Sequence, residues 1–260
     1  MQNKLKVAIL QTNLVWESPT ENRRLLDQKI KGLPQDVDLI LLPEMFTSGF
    51  TMNANKVAET MNGETIFWLK TQAKSRMAAI AGSLVIQENN RFFNRLVFAD
   101  PEGKITTYDK RHTFTLAGEH KTYTAGKEKV ILDYKGWKIC PLVCYDLRFP
   151  VWARNTEDYD LLFYVANWPK MRIAAWDSLL KARAIENMAY CVGVNRVGLD
   201  GNEYEYSGHS ATYDVIGNRI DTLPKNEEAV EIVTLEKSHI KKYREKLNFL
   251  NDRDSFNLTN

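Results

Sequence analysis

The sequence contains few cysteines: Cys140, Cys144 and Cys191 are the three in 260 residues. A small and odd number is a poor basis for the disulfide framework of a small secreted domain. No apolar segment with a cleavage site precedes the first strand-like run, so no targeting peptide is predicted. We therefore expect a cytoplasmic protein with free thiols.

Long apolar runs and an excess of one charge are also missing. No stretch approaches the about 20 consecutive apolar residues that a membrane-spanning helix requires, so no membrane partner is predicted. Lysine and arginine number 35 against 33 aspartates and glutamates, which gives a net charge of +2. This balance argues against a nucleic-acid partner bound through bulk charge. The densest basic patch, residues 237–246, also contains Glu245 and fits a solvated helix face.

Clustered metal ligands are missing as well. Cys140 and Cys144 are four residues apart, but no histidine or cysteine nearby completes a zinc set, so we expect no metal site. His112 and His120 invite the hypothesis of a cysteine–histidine protease. The sequence around them gives that hypothesis no further support, and we expect solvated loop histidines.

What the sequence does contain is an ordinary globular composition, with 44% hydrophobic and 26% charged residues. Short, mostly apolar runs predict strands, and apolar residues at helical spacing predict helices between them. The predicted strands are 7–10, 37–42, 79–87, 91–99, 105–108, 130–134, 137–144, 161–165 and 191–194. The predicted helices are 22–30, 65–77, 173–188 and 236–247.

Three late segments, 209–213, 219–222 and 230–233, are expected to form one antiparallel set of strands. Strands that alternate with helices predict an α/β layered domain. No linker or internal repeat interrupts the chain, so residues 1–260 are predicted to form a single domain.

Two charged residues come directly after strand-like runs. Glu44 follows the buried run that ends at Pro43, and α/β enzymes place their chemistry at such strand ends. Partial burial there would raise the pKa of Glu44 and improve it as a general base, although a charge at a loop edge fits the same pattern. Lys110 follows the run 105–108, and by itself it equally fits a surface lysine.

Cys144 stands where a strand is predicted to turn into a helix. A helix N-terminus favours the thiolate, and the main-chain amide of Tyr145 would then supply one half of an oxyanion hole. The alternative is a buried structural cysteine. Cys140 and Cys191 fit that alternative better, because they lie within or at the start of apolar strands.

Taken together, these segments resemble the nitrilase superfamily. Pro43-Glu44, Asp109-Lys110 and Cys144-Tyr145-Asp146 occur in the order and approximate separations of its Glu-Lys-Cys triad. Further matching segments extend over almost the whole chain: Ala81-Gly82-Ser83, Asn94-Arg95, Gly118-Glu119, Ala166-Asn167-Trp168, 182–187 and Asn195-Arg196.

Within the superfamily, the segments 42–50 and 144–150 are most similar to the ω-amidase branch. True nitrilases typically have Cys-Trp-Glu at the nucleophile, and the Cys-Tyr-Asp of this chain departs from that pattern. Nitrile hydrolysis is therefore a less expected activity than amide hydrolysis.

The resemblance implies an α-β-β-α sandwich that pairs across a two-fold axis into a homodimer or larger assembly. It implies that Cys144 is the nucleophile, Glu44 the general base and Lys110 the cation that stabilises the oxyanion. It also implies a catalytic-site role for Glu119, which would orient Lys110 or the substrate amide nitrogen; an exposed loop charge is the alternative. The implied chemistry uses no metal or organic cofactor.

An ω-amidase acts on a short dicarboxylate monoamide, such as 2-oxoglutaramate or 2-oxosuccinamate. The free carboxylate of such a substrate suits the fork of donors on an arginine. Arg148, four residues after the nucleophile, is the candidate, with a structural salt bridge to Asp146 or another carboxylate as the alternative. Asn167 and Trp168 are candidates for the pocket wall, although Trp168 equally fits the core.

Two rival functions stay open. One is a related amidase or carbamoylase that acts on another small C–N bond, and against it Arg148 favours an anionic substrate. The other is a catalytically silent scaffold that keeps the fold for binding. The presence of all three triad residues argues against a silent scaffold.

Overall fold

The computed structural model describes residues 2–258 of the chain. Within this range the strands are β1 (Lys4–Gln11), β2 (Leu39–Leu41), β3 (Ala79–Glu88), β4 (Arg91–Ala99), β5 (Ile105–Asp109), β6 (Leu132–Tyr134), β7 (Trp137–Val143), β8 (Leu161–Ala166), β9 (Tyr190–Asn195), β10 (Val197–Leu199), β11 (Glu205–Ser207), β12 (Ala211–Tyr213) and β13 (Ala229–Glu236). The α-helices are α1 (Pro19–Lys31), α2 (Ala54–Val57), α3 (Glu64–Arg76), α4 (Glu119–Thr122), α5 (Pro150–Ala153), α6 (Ile173–Asn187) and α7 (Lys237–Leu247). Short 3₁₀ helices span Thr115–Ala117, Cys144–Arg148, Lys170–Arg172 and Phe249–Asp252.

Two mixed sheets carry most of these strands. One sheet has the order β13-β1-β2-β3-β4-β5, in which β1, β2 and β3 are parallel to one another. The other has the order β12-β9-β8-β7-β6, in which β7, β8 and β9 are parallel. Each sheet therefore has a parallel centre with antiparallel strands beside it, and the carboxyl ends of its parallel strands lie along one edge.

The first sheet separates two apolar layers, because successive side chains of a strand point to opposite faces. Ile9 and Leu41 pack in one cluster with residues of the second sheet, such as Phe163. Leu10 of the same strand as Ile9 packs in a different cluster with Leu26 of helix α1. The two sheets therefore face each other, and helices α1 and α3 cover the outer face of the first.

Helix α6 covers the outer face of the second sheet. Its Trp176 and Leu180 are fully buried, and both lie close to Gly193 of β9. A Cβ at Gly193 would lie 2.4 Å from a methyl carbon of Leu180, so only glycine allows the helix to approach the strand this closely. The predicted α-β-β-α arrangement of an α/β protein is confirmed. Among residues 2–258, no helix is long and apolar enough to cross a membrane.

The predicted antiparallel set of late strands is wrong. β12 is the edge strand of the second sheet, next to β9, whereas β13 pairs with β1 in the first sheet, with Val7 opposite Val233. Residues 219–222 form no strand in the described chain, and Arg219 makes only an isolated bridge with Tyr213. Apolar alternation predicts a strand but not its partner, and the partner of β13 lies at the opposite end of the sequence.

Candidate active site

The four candidate catalytic side chains meet at the strand ends of the two sheets. Glu44 follows β2, Lys110 follows β5 directly, Cys144 follows β7 directly, and Glu119 opens helix α4. Glu44 and Glu119 are 0% exposed, Lys110 is 1% exposed and Cys144 is 9% exposed. Glu44 is therefore not a charge at a loop edge, Lys110 is not a surface lysine, and Glu119 is not an exposed loop charge.

Lys110 lies between the two carboxylates. Its Nζ is 2.9 Å from Oε1 of Glu44, and 2.9 and 3.1 Å from Oε2 and Oε1 of Glu119. Burial disfavours the charged ammonium, but the carboxylates of Glu119 and Glu44 outweigh burial and raise the pKa of Lys110. The charged form of Lys110 is therefore favoured in this buried site.

Within residues 2–258, every hydrogen-bond partner of the Glu119 carboxylate is a donor. Besides Lys110, they are the amide of Phe114 and the side-chain amide of Asn94, whose Nδ2 lies 3.2 Å from Oε1. Burial raises the pKa of Glu119, Lys110 opposes this, and Glu44 adds to it. Because all of these neighbours donate, the geometry suits the ionised carboxylate.

Asn94 is a site residue that the sequence analysis missed. Its Nδ2 also donates to Oε1 of Glu44 at 2.8 Å, so one amide group bridges the two carboxylates. Asn94 lies in β4, opposite Val85 of β3, and it is 1% exposed. A buried polar residue inside an apolar strand was the available signal, because such a group needs a specific partner.

The carboxylate of Glu44 is held from the second sheet as well. The main-chain amide of Asn167, directly after β8, donates to Oε2 of Glu44 at 2.8 Å, and its side-chain Nδ2 donates to the Glu44 carbonyl. The next residue, Met45, has a left-handed backbone with φ of 42°, and its amide donates to Oγ of Ser83. These bonds hold the Glu44 carboxylate in one orientation and tie it to Asn167 of the second sheet.

Cys144 has a left-handed backbone with φ of 42° at the start of the 3₁₀ helix Cys144–Arg148. The helix at the predicted strand-to-helix turn is thus a short 3₁₀ helix, and only its first free amides can favour the thiolate. Burial, and then the carboxylate of Glu44, raise the pKa of Cys144, although Lys110 opposes them. These surroundings favour the protonated thiol, whereas the predicted helix N-terminus favours the thiolate.

Asp146 braces the nucleophile turn from within. Its Oδ2 accepts the amide of Val143 at 3.1 Å and the hydroxyl of Tyr108 at 2.7 Å. Its Oδ1 accepts the amide of His112 at 2.9 Å and lies 2.7 Å from Nδ1 of the same histidine. Because Tyr108 and His112 lie on either side of Lys110 in the chain, Asp146 ties the Lys110 segment to the nucleophile turn.

The expectation of a solvated loop histidine is wrong for His112. Its ring stacks on Phe149 with centroids 3.6 Å apart, besides its bond to Asp146. His120 is exposed, as expected. Helix α6 adds a further brace, because Nη2 of Arg183 donates to the carbonyl of Leu147 at 2.6 Å.

A cavity of about 890 Å³ opens in front of the nucleophile. Cys144, Lys110, Tyr145, Asn167 and Trp168 line it, together with Arg148. Arg148 is exposed, and its Cζ lies 5.0 Å from the centroid of the Trp168 ring. The alternative salt bridge between Arg148 and Asp146 is wrong, because Asp146 is fully buried and bonded to other groups.

The other two cysteines lie away from the cavity. Cys140 in β7 and Cys191 in β9 are fully buried in the core between sheet and helix. Burial raises the pKa of Cys140 to about 12. Within residues 2–258, no three His, Cys, Asp or Glu side chains are grouped to hold a metal ion.

Fold and site together define an α/β protein of two facing sheets in which a glutamate, a lysine and a cysteine lie together beside a cavity. The family model for carbon–nitrogen hydrolases matches residues 6–245, and the chain belongs to that family. The sequence is 44% identical over 254 residues to ω-amidase YafV of Escherichia coli K12, covering 98% of each chain. It is 35% identical over 219 residues to 2-oxoglutaramate amidase of Bacillus subtilis, covering 82% of this chain and 84% of the relative.

Solved structures agree with this assignment. A CN-hydrolase superfamily protein from Xanthomonas campestris, described with an arsenic adduct in its active site, superposes with a TM-score of 0.97. It is 41% identical, and the match covers 99% of this chain and 100% of that one. Nit3 of Saccharomyces cerevisiae, a nitrilase superfamily member, shares the fold with a TM-score of 0.84 at 22% identity. The predicted resemblance to the nitrilase superfamily and its ω-amidase branch is confirmed.

Proposed function

We propose that this protein is an ω-amidase that hydrolyses the terminal amide of a short dicarboxylate monoamide to the acid and ammonia. One observation carries the proposal: the buried group of Cys144, Glu44, Lys110 and Glu119 opens into a cavity whose wall holds Arg148. The similarity to ω-amidase YafV and to 2-oxoglutaramate amidase supports 2-oxoglutaramate or 2-oxosuccinamate as the substrate.

In the acylation step, Glu44 takes the thiol proton as the Sγ of Cys144 forms a bond to the amide carbon. The negative charge on the amide oxygen is stabilised by Lys110 and by the main-chain amide of Tyr145, an early and therefore free amide of its 3₁₀ helix. Glu44 then returns the proton to nitrogen, the C–N bond breaks, and ammonia leaves a thioester on Cys144.

In the deacylation step, Glu44 removes a proton from water, and the resulting hydroxide attacks the thioester carbon. The C–S bond breaks, the acid is released, and the thiol regains its proton from Glu44. Glu119 and Asn94 contact Lys110 and Glu44 rather than the nucleophile, so they position these two groups through both steps.

Arg148 is proposed to bind the free carboxylate of the substrate. Its guanidinium lies against the ring of Trp168, which orients it, and within residues 2–258 it makes no ion pair. An unpaired guanidinium at the wall of the cavity favours an anionic substrate over an uncharged amide or carbamoyl compound.

Ammonia release by the purified protein tests the proposal. We expect hydrolysis of 2-oxoglutaramate at a much higher kcat/KM than hydrolysis of asparagine, of glutamine or of a simple nitrile. Equal activity on an uncharged linear amide of the same length would instead support the rival amidase function. A protein that is inactive on every amide, while its Cys144 is still alkylated by iodoacetamide, would support a binding scaffold.

We further propose that residues 1–260 form one domain, located in the cytoplasm, that assembles into a homodimer or larger closed oligomer. The core shared by both sheets supports the single domain, and three free, buried thiols support a reducing compartment. Val151 of α5 and Ile185 of α6 are 50% and 43% exposed, and these apolar side chains are candidates for a subunit contact. Light scattering that gives the mass of the monomer, 30.0 kDa, at micromolar concentration would contradict the oligomer.

A further inference from the structure

Two arginines line the same cavity, and the proposed reaction uses one of them. Arg148 and Arg172 both line it, with the Cζ of Arg172 5.0 Å from the centroid of the Phe114 ring. In the part of the chain that the structure describes, neither guanidinium pairs with a carboxylate, and Nη1 of Arg172 contacts the sulfur of Met171 at 3.4 Å. An aromatic face holds a guanidinium without neutralising it, so both charges remain available to a ligand.

An aromatic shelf of Phe114, Tyr145 and Trp168 joins the two arginines to the catalytic group. The indole Nε1 of Trp168 donates to the carbonyl of Arg172 at 2.9 Å. The guanidinium of Arg148 lies over the face of the same indole ring. The rings of Phe114 and Tyr145 meet edge to face at 4.9 Å. Because Tyr145 follows Cys144 directly, these contacts link the segment of Cys144 to both arginines on the wall of one cavity.

The acidic residues of the cavity do not pair with these cations. Among residues 2–258, Glu17 and Asp200 are the acidic residues that line it. Glu17 is bonded to the hydroxyl of Thr51 at 2.6 Å and to Nζ of Lys56 at 2.8 Å. Asp200 accepts two main-chain amides on Oδ1 and the hydroxyl of Tyr206 on Oδ2 at 2.8 Å. A ligand ammonium would therefore find two unpaired cations and no free carboxylate.

We propose that Arg172 is a second specificity-determining residue, which with Arg148 selects monoamides of 2-oxo acids and rejects those of α-amino acids. The inference rests on the proposed function of the site. A carboxylate and an adjacent carbonyl oxygen present acceptors to both guanidiniums. An ammonium in the place of that carbonyl is repelled by both guanidiniums. This repulsion of like charges opposes binding more strongly where water is partly excluded.

The test compares three amides of one chain length with the full-length protein: 2-oxoglutaramate, the unsubstituted glutaric acid monoamide, and glutamine. We expect Arg172→Met to raise KM for 2-oxoglutaramate about tenfold or more, with a smaller change for glutaric monoamide. The kcat/KM for glutamine should stay level or rise, so that the preference for the 2-oxo acid falls. Arg172→Lys should keep the rejection of glutamine, because it keeps the charge, while losing part of the gain on the 2-oxo acid.

Lys170→Met is the matched control, since Lys170 is the nearby exposed cation that pairs with Glu205 and does not line the cavity. It should leave all three amides unchanged. The substitution at Arg172 keeps the carbonyl that binds Trp168, so the fold should be intact. An Arg172→Met variant with an unchanged preference, or with an equal loss on all three amides, overturns this inference alone. Wild-type protein that hydrolyses none of them overturns the proposed function and the inference together.

Discussion

The main-chain amide of Asn167 donates a hydrogen bond to Oε2 of Glu44 at 2.8 Å, and this bond joins the two sheets at the reaction centre. Glu44 belongs to the loop after β2 in the first sheet, and Asn167 follows β8 in the second. The carboxylate of Glu44 is thus oriented by a residue 123 positions away. The relative placement of the sheets therefore sets the geometry of the site, and the variants below test the parts of that geometry.

Cys144→Ala should abolish ammonia release and leave the fold intact, because the thiol is the nucleophile that attacks the amide in the proposed reaction. Cys140→Ala and Cys191→Ala are the matched controls, since both lie in the core and away from the cavity. They should remain active and lose about 1 kcal/mol of stability, as core truncations commonly do. Loss of activity in a control of normal stability would mean that the wrong cysteine has been assigned.

Lys110→Met should have two separable effects. Removal of an oxyanion donor slows acylation by about 2.7–4 kcal/mol in activation free energy. Breaking the buried ion pairs also leaves Glu44 and Glu119 uncompensated, which should lower the free energy of unfolding by about 3–5 kcal/mol. The double variant Lys110→Met/Glu119→Gln removes one of the two uncompensated carboxylates. We expect this variant to regain part of the lost stability and none of the activity. Recovery of turnover together with stability would show that Lys110 acts only on the fold.

Glu44→Gln should stop turnover and yet make the thiol more acidic. The negative charge of Glu44 is, after burial, the main cause of the raised pKa of Cys144, so its removal should lower that pKa. Thiolate then forms at a lower pH in the variant than in the wild type, which alkylation rates measured against pH will detect. A thiolate that appears only at a higher pH in the variant would place Glu44 away from the sulfur.

Arg148→Met should reduce kcat/KM on 2-oxoglutaramate far more than on an uncharged amide of similar length. Arg148 is exposed, so the expected loss is the about 1.5–3 kcal/mol of a hydrogen bond to a charged group. Arg148→Lys keeps the charge without the fork and should restore only part of the activity. If both substrates lose equally and the melting temperature falls, Arg148 supports the fold and the carboxylate is bound elsewhere.

Local sequence features predicted most of the elements correctly. The strands that precede Lys110 and Cys144 follow from short apolar runs, and helix α6 follows from apolar residues at helical spacing. The sequence pattern failed for residues 219–222 and for the partner of β13. Strand pairing is a contact between distant segments. The apolar alternation along one segment does not indicate which segment pairs with it.

The sequence by itself determined which residue types stand at the strand ends, and with them the family resemblance and the choice of Glu44, Lys110 and Cys144. Only the tertiary structure decided their states and their supports. It placed Lys110 between two carboxylates, raised the pKa of Cys144 through burial and the charge of Glu44, and added Asn94 to the site. The physical reason is that burial and the charges of neighbouring groups set the pKa of a side chain. Both depend on residues that come together only when the two sheets pack.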